Sequence, residues 1–219
     1  DVLNDKEVLE HLQWIMKKDL LGQNIMLIGR PGPFKRRLVK TYLALKQQGM
    51  ETVVLHPDTS SESDLKQRRE IKSRKDGTLQ LNWNDSPLVR AAIQGKIVLI
   101  EGAERAERNV LPVLNNLLEN REMNLEDGRR IVSHETYDHL LHYPGLLRAH
   151  ENFRVIALTT PTPTYKGKAL DPPFRSRFQA RFVDTPVQGT PITKNHKKYL
   201  GQDFQESDII SKLNLIRQT

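Results

Sequence analysis

Between the short apolar run Asn24-Ile25-Met26-Leu27-Ile28 and an amphipathic stretch from Phe34 to Gln47 lies the octapeptide Gly29-Arg30-Pro31-Gly32-Pro33-Phe34-Lys35-Arg36. A strand, a glycine-proline turn and a helix in that order constrain the fold more than any other feature of the chain. The pattern G-x-x-x-x-G-K-[ST] at such a junction lets successive backbone N–H groups cradle phosphate oxygens at a helix amino end, with a lysine for the terminal phosphates and a hydroxyl for Mg²⁺. Gly29, Pro31, Gly32 and Lys35 fit that pattern, whereas Phe34 stands in place of the last glycine and Arg36 in place of the hydroxyl. If position 34 requires a positive φ, a side chain there costs about 1–2 kcal/mol. Arginine donates hydrogen bonds and cannot ligate a cation. The octapeptide is a candidate nucleotide-phosphate site whose hydrolytic chemistry is in question; a plain Gly-Pro turn of any α/β protein is the simpler alternative.

A second landmark belongs with the first. Ile97-Val98-Leu99-Ile100 is apolar without alternation, as expected of a strand buried on both faces, and it runs into Glu101-Gly102-Ala103-Glu104. Phosphate-loop enzymes end such a strand in an acid that helps hold Mg²⁺, and a neighbouring acid orients the attacking water. Glu101 takes the metal position here. Gly102 falls where the water-orienting acid is expected, and it has no side chain with which to accept a proton. The alternative is a buried strand ending in an ordinary surface acid.

The rest of the chain reads as alternating helices and strands. Helices are expected over 5–18, 34–47 (closed by Gly49), 88–94 (Ser86 cap, Pro87 first position, Gly95 stop) and 109–119, with a helical turn near Phe174. Strands are expected at 52–56, 97–100, 154–158 and 181–184, a hairpin at 122–132 turning near Glu126-Asp127-Gly128, and a polar loop with a helical turn over 58–77. This alternation argues for a mostly parallel sheet covered on both faces. A length of 219 residues with 37% hydrophobic content allows one such domain and an appendage: a nucleotide-binding unit over 1–185 and a polar tail over 186–219, with a short helix at 208–217.

Composition excludes several classes. There is no cysteine, hence no disulfide staple or thiol chemistry, and no apolar run is long enough for a membrane span. The chain begins at Asp1 rather than Met and is expected to be a piece of something longer. A net charge of +7 raises the question of nucleic acid. The densest basic cluster, from Lys66 to Lys75, lacks interleaved aromatics for base stacking and reads as a solvated loop, and the cluster at Lys194 to Lys198 lies in the polar tail, so no nucleic-acid partner is expected. His134 and His139, with His142 beyond, suggest a metal site, but two helical ligands must lie four apart to face one ion and these lie five apart. Surface histidines are the expectation.

The segment IVLIEGAERAERNVLPVLNNLLENREMNLEDGRRI, Ile97 to Ile131, resembles the AAA+ branch that contains the MoxR proteins, midasin and dynein-like motors, in which an acidic strand end precedes a helix with an inserted β-hairpin. DLKQRREI (64–71), ENFRVIAL (151–158) and LDPPFRSRFQARF (170–182) extend the resemblance over most of residues 8–184. It implies a three-layer, parallel-sheet P-loop NTPase fold, the AAA+ large subdomain, with the helical lid largely absent because residues after Pro186 are too few and too polar. It also implies ATP as cofactor, neighbouring AAA+ modules in an oligomeric ring as partners, a protein substrate of unknown identity, and a mitochondrial address that no residue of the chain carries.

Position by position, the resemblance makes Lys35 the phosphate-loop lysine, Glu101 the acidic metal position and Gly102 the position of the missing catalytic glutamate. Thr160 falls at the sensor asparagine, and Arg177, with Arg175 as alternative, at the arginine finger that reaches a neighbour's nucleotide. An arginine finger contributes 10³ to 10⁵ in rate, about 4–7 kcal/mol, so a module impaired at its own site can still govern its neighbour through Arg177. The plainer alternative pairs Arg177 with a carboxylate of its own domain. Lys35 and Arg36 together place two positive charges where lysine and Mg²⁺ normally sit, so ATP is expected to bind without the metal; otherwise Arg36 points to solvent. Two other functions stay open: a competent ATPase using Glu104 as a non-standard acid, and a scaffold that binds no nucleotide.

Overall fold

The computed structural model describes residues 6–56, 61–73, 77–107, 110–140 and 143–183. Five strands form one all-parallel sheet: β1 (Ile25–Ile28), β2 (Met50–Val54), β5 (Ile97–Glu101), β9 (Arg154–Thr159) and β10 (Gln179–Phe182), in the order β10-β1-β9-β5-β2. The unbroken apolar runs have a direct cause. Along β5, Ile97 and Leu99 enter the core beneath one face while Val98 and Ile100 enter the core beneath the other, and β1 and β9 divide their side chains in the same way. Helices α1 (Lys6–Leu20) and α2 (Phe34–Lys46) cover the first face through Val8, Leu12, Ile15, Leu38 and Tyr42. Helices α4 (Pro87–Gln94), α5 (Pro112–Asn120) and the turn α7 (Pro172–Arg175) cover the second through Leu88, Leu114, Leu117 and Phe174. The architecture is the expected three-layer α/β fold.

Local signals fixed several ends. Ser86 caps α4 by accepting from the Val89 N–H at 3.2 Å, Pro87 opens it, and Gly95 closes it at φ 71°. Helix α2 departs from expectation: Gln47, not Gly49, takes the left-handed stop at φ 56°. Other elements shift by a few residues, with β2 and β10 starting two residues early and α5 starting at Pro112. Asp184, the expected tail and its 208–217 helix lie outside the described residues, as do Arg74, Lys75 and His142.

The main correction concerns residues 58–77. The expected helical turn is present as α3 (Glu62–Leu65), but it leads into a strand rather than a loop: β3 (Gln67–Ser73) pairs antiparallel with β4 (Leu79–Asp85) in an unbroken seven-residue register. The basic cluster is therefore largely strand. Six of the seven β3 residues are exposed, so no core face imprints alternation on the sequence, and the strand exists through its cross-strand partner. The expected hairpin near Gly128 is present as β6 (Met123–Asn124) and β7 (Arg130–Val132), and an unforeseen strand, β8 (Leu146–Arg148), joins β7 in parallel after helix α6 (His134–His139).

The base of the β3–β4 hairpin is tied to the turn of the β6–β7 hairpin. Fully buried Gln67 donates to Asp85 Oδ1 at 2.7 Å and to Asp127 Oδ2 at 2.8 Å, and Arg129 bridges the same two carboxylates. Burial would raise the Asp127 carboxyl, but hydrogen bonds from Gln67 and Arg129 outweigh it and hold the group below the usual carboxylate range. At the opposite, amino edge of the sheet, buried Asp19 ends α1 and accepts from the Tyr42 hydroxyl at 2.5 Å and from Lys46, with Arg154 Nε 3.5 Å away. That cluster locks α1, α2 and β9 together and leaves the carboxyl edge to the site.

Candidate phosphate-binding site

At the carboxyl edge, β1 runs into the Gly29–Arg36 turn while β9 and β5 deliver Thr160 and Glu101 beside it. Gly29 is held by its N–H to the Thr159 carbonyl at 3.2 Å, and a Cβ there would fall 1.8 Å from the Val183 carbonyl oxygen. No other residue fits. Gly32 has φ 144°, with open space where its side chain would be. Phe34 is the first residue of α2 and is not among the positive-φ positions, so the expected left-handed strain is not incurred and its side chain packs against the core under α2.

The amino end of α2 has no side-chain cap and no acidic residue in its first turn. Its N–H groups and the helix dipole therefore favour an anion. Lys35 is buried at 6% exposure, with Nζ donating to the carbonyls of Gly29 at 2.7 Å and Arg30 at 2.5 Å, so its charge sits inside the turn. Arg30, Pro31 and Pro33 are exposed on the rim. These residues fit a polyphosphate.

They do not fit a divalent cation. Arg36 Nε lies 3.1 Å from Glu101 Oε1, so the acid expected to help hold metal is paired with a guanidinium standing where the hydroxyl ligand is missing. The two pair as charges without an aligned hydrogen bond, because Glu101 Oε1 is buried and has no bonded donor among the described residues. The glycine turn and the acid stand at the same edge of one sheet, where the Arg36–Glu101 pair joins them. Among the described residues no group of three or more His, Asp or Glu side chains could hold a metal ion; His134 and His139 stand at the two ends of α6.

Gly102 is glycine for a backbone reason. It has φ 81°, and an added Cβ would lie 2.7 Å from the carbonyl oxygen of Leu55, whose own N–H is bonded to the Glu101 carbonyl. The strand end is threaded too close to the Leu55 backbone for a side chain at position 102, where a catalytic acid was the expectation.

Glu104 follows in a single 3-10 turn, Ala103–Arg105, at 3% exposure, and its Oε1 accepts from Thr160 Oγ1 at 2.9 Å. Thr160, expected at the sensor position, is thus bonded to Glu104. Both line a cavity of about 690 Å³ with Met26, Ile28, Leu170 and Phe178, to which none of residues 29–36 contributes. Arg175 lies exposed on the same cavity. Arg177 is engaged within its own domain: Nε donates to Glu119 Oε2 at 3.0 Å, and a terminal nitrogen donates to the Pro173 carbonyl. Sequence reasoning missed the Arg36–Glu101 pair, the Leu55 contact and the Thr160–Glu104 bond, each of which joins residues distant in the chain.

Comparison with known proteins follows the same geometry. Residues 24–178 match the AAA domain family, dynein-related subfamily. The chain is similar to von Willebrand factor A domain-containing protein 8 of Mus musculus, 53% identical over 186 residues, covering 81% of this chain and 9% of that protein. It is also similar to midasin of Giardia intestinalis, 25% identical over 191 residues, covering 72% of this chain and 4% of that protein. The chain therefore spans under a tenth of the length of either relative. A crystal structure of a Cytophaga hutchinsonii protein described as a candidate ATPase shares the fold, with a TM-score of 0.52 at 19% identity over 88% of this chain and 52% of that one.

Proposed function

The chain belongs to the dynein-related subfamily of AAA domains, and from that membership we propose that it is an ATP-holding module of a larger mechanochemical ATPase, with degenerate phosphate-loop and acidic-strand motifs. The observation that carries this reading is the Arg36–Glu101 pair at 3.1 Å. The guanidinium neutralises the acid, so that it no longer repels a polyphosphate held by Lys35, and its remaining N–H groups are donors to phosphate; a hydrogen bond to a charged group contributes about 1.5–3 kcal/mol. Binding then proceeds without Mg²⁺. Titration of the chain with a fluorescent ATP analogue is expected to give the same affinity with excess EDTA as with Mg²⁺. Loss of binding in the chelator would sink the metal-free reading, and absence of any ATP-dependent rise in melting temperature would favour a nucleotide-free scaffold.

The competent-ATPase alternative rests on the Thr160–Glu104 bond, which places an acid beside the sensor. Against it stands the lining of the Glu104 cavity, which contains no phosphate-loop residue.

Within a ring, Arg177 acts on the neighbouring module's nucleotide. Its pair with Glu119, 56% exposed, is of the surface kind worth about 0–1 kcal/mol, which a neighbour's phosphates outcompete readily. Arg177→Ala is expected to lower ATPase of the assembled particle by at least about a thousandfold if the finger supplies its usual share. An unchanged rate would assign Arg177 to its own domain.

A further inference from the structure

We propose that the cavity on the α5 side of the sheet is a second binding site, for a single alkylammonium or alkylguanidinium group anchored by Glu104. The site is separate from the phosphate loop. Met26 belongs to the core on the face opposite α2, and the cavity, open to solvent on one side, is lined by residues from 161 to 178 rather than by the loop. Its volume of about 690 Å³ lies within the roughly 300–1,000 Å³ span of small-molecule pockets. Met26, Ile28, Leu170 and Phe178 give it apolar walls, and Glu104 is a buried carboxylate among them.

Glu104 is half satisfied. Oε1 takes the Thr160 hydroxyl, with Arg105 Nε at 4.0 Å, while Oε2 is buried with no hydrogen-bond partner among the described residues. A buried acceptor without a donor is costly, and a charged one more so, which favours any ligand that brings a donor. Lys168, whose backbone passes Glu104, has its side chain committed elsewhere: Nζ pairs with Glu107 at 2.7 Å.

The acid is also held in place. The Lys168 N–H donates to the Glu104 carbonyl at 2.6 Å, and Gly167 passes so close that a Cβ would lie 2.9 Å from Glu104 Cγ. Oε2 is shut off from solvent at rest, but the terminal torsion of a glutamate is soft, and turning it presents the oxygen to the cavity. An apolar stem fills the walls while the cationic head meets the carboxylate. Arg175, exposed on the same cavity, disfavours further positive charge there, so the ligand carries a single cationic head, placed at Glu104, on an uncharged stem.

The probes are n-pentylguanidinium and n-pentylammonium, with n-pentanol and pentanoate as neutral and anionic counterparts, titrated calorimetrically into the 219-residue chain. Both cations are expected to bind saturably at least about tenfold more tightly than pentanol, and pentanoate not at all. Glu104→Gln is expected to bring cation affinity down to that of pentanol. Leu170→Trp, which fills the cavity, should abolish cation binding while the ATP-analogue titration stays as in the parent chain, so failure here is separable from failure of the nucleotide reading. Equal binding of pentanol and the cations, no saturable binding, or cation binding that survives Leu170→Trp overturns the proposal.

Discussion

Replacing Gly102 with glutamate, which restores on paper the water-orienting acid, is expected to destabilise the chain by about 2–5 kcal/mol and to produce no phosphate release. A non-glycine residue in the left-handed region costs about 1–2 kcal/mol, and Gly102 sits at φ 81°. Forcing extra atoms into a closed site adds about 1–3 kcal/mol, and here the obstacle is the Leu55 carbonyl oxygen, 2.7 Å from the added Cβ. Thermal melting and a phosphate-release assay on Gly102→Glu and Gly102→Ala measure both halves of the claim. The alanine variant meets the same backbone and is expected to lose most of the same stability. A glutamate variant that melts with the parent and hydrolyses ATP would show that the loss of the acid was a side-chain matter after all.

Arg36→Thr makes the opposite change and is expected to convert the site from metal-independent to metal-dependent. Threonine supplies the missing hydroxyl, and removal of the guanidinium releases Glu101, whose Oε1 is 3.1 Å from Arg36 Nε. In excess EDTA the variant has lost a charged donor and should bind the ATP analogue about 10- to 100-fold more weakly than the parent. Added Mg²⁺ should recover most of that loss in the variant and leave the parent unchanged. Equal affinity of variant and parent in EDTA would mean that Arg36 serves Glu101 alone. Hydrolysis is not expected to return, because Gly102 still lacks an acid.

Much of the scaffold is legible in the sequence because its signals are local. Ser86, Pro87 and Gly95 announce α4 by capping chemistry that involves only near neighbours. The apolar runs of β5 and β9 mark strands buried on both faces. The phosphate turn and the acid at Glu101 are likewise readable by residue type and spacing, and the structure brings them to one edge. The β3 strand was hidden because its residues face solvent on both sides, so nothing in QRREIKS distinguishes it from a loop until LQLNWND is laid beside it. Strain expected at Phe34 did not arise, since the turn places its positive φ at Gly32 and leaves position 34 free to start the helix.

The sequence by itself determined the order of elements, the location of the glycine-proline turn and the identity of the groups beside it, Lys35, Arg36, Glu101 and Gly102. Tertiary structure alone decided how those groups meet. It put the Arg36 guanidinium onto Glu101, set the Leu55 backbone against Gly102 and turned Glu104 toward Thr160 in a separate cavity. The physical reason is one of range. Capping, turn and burial preferences act between neighbours in the chain, whereas charge pairing and close backbone approach depend on which strand ends the parallel sheet sets side by side.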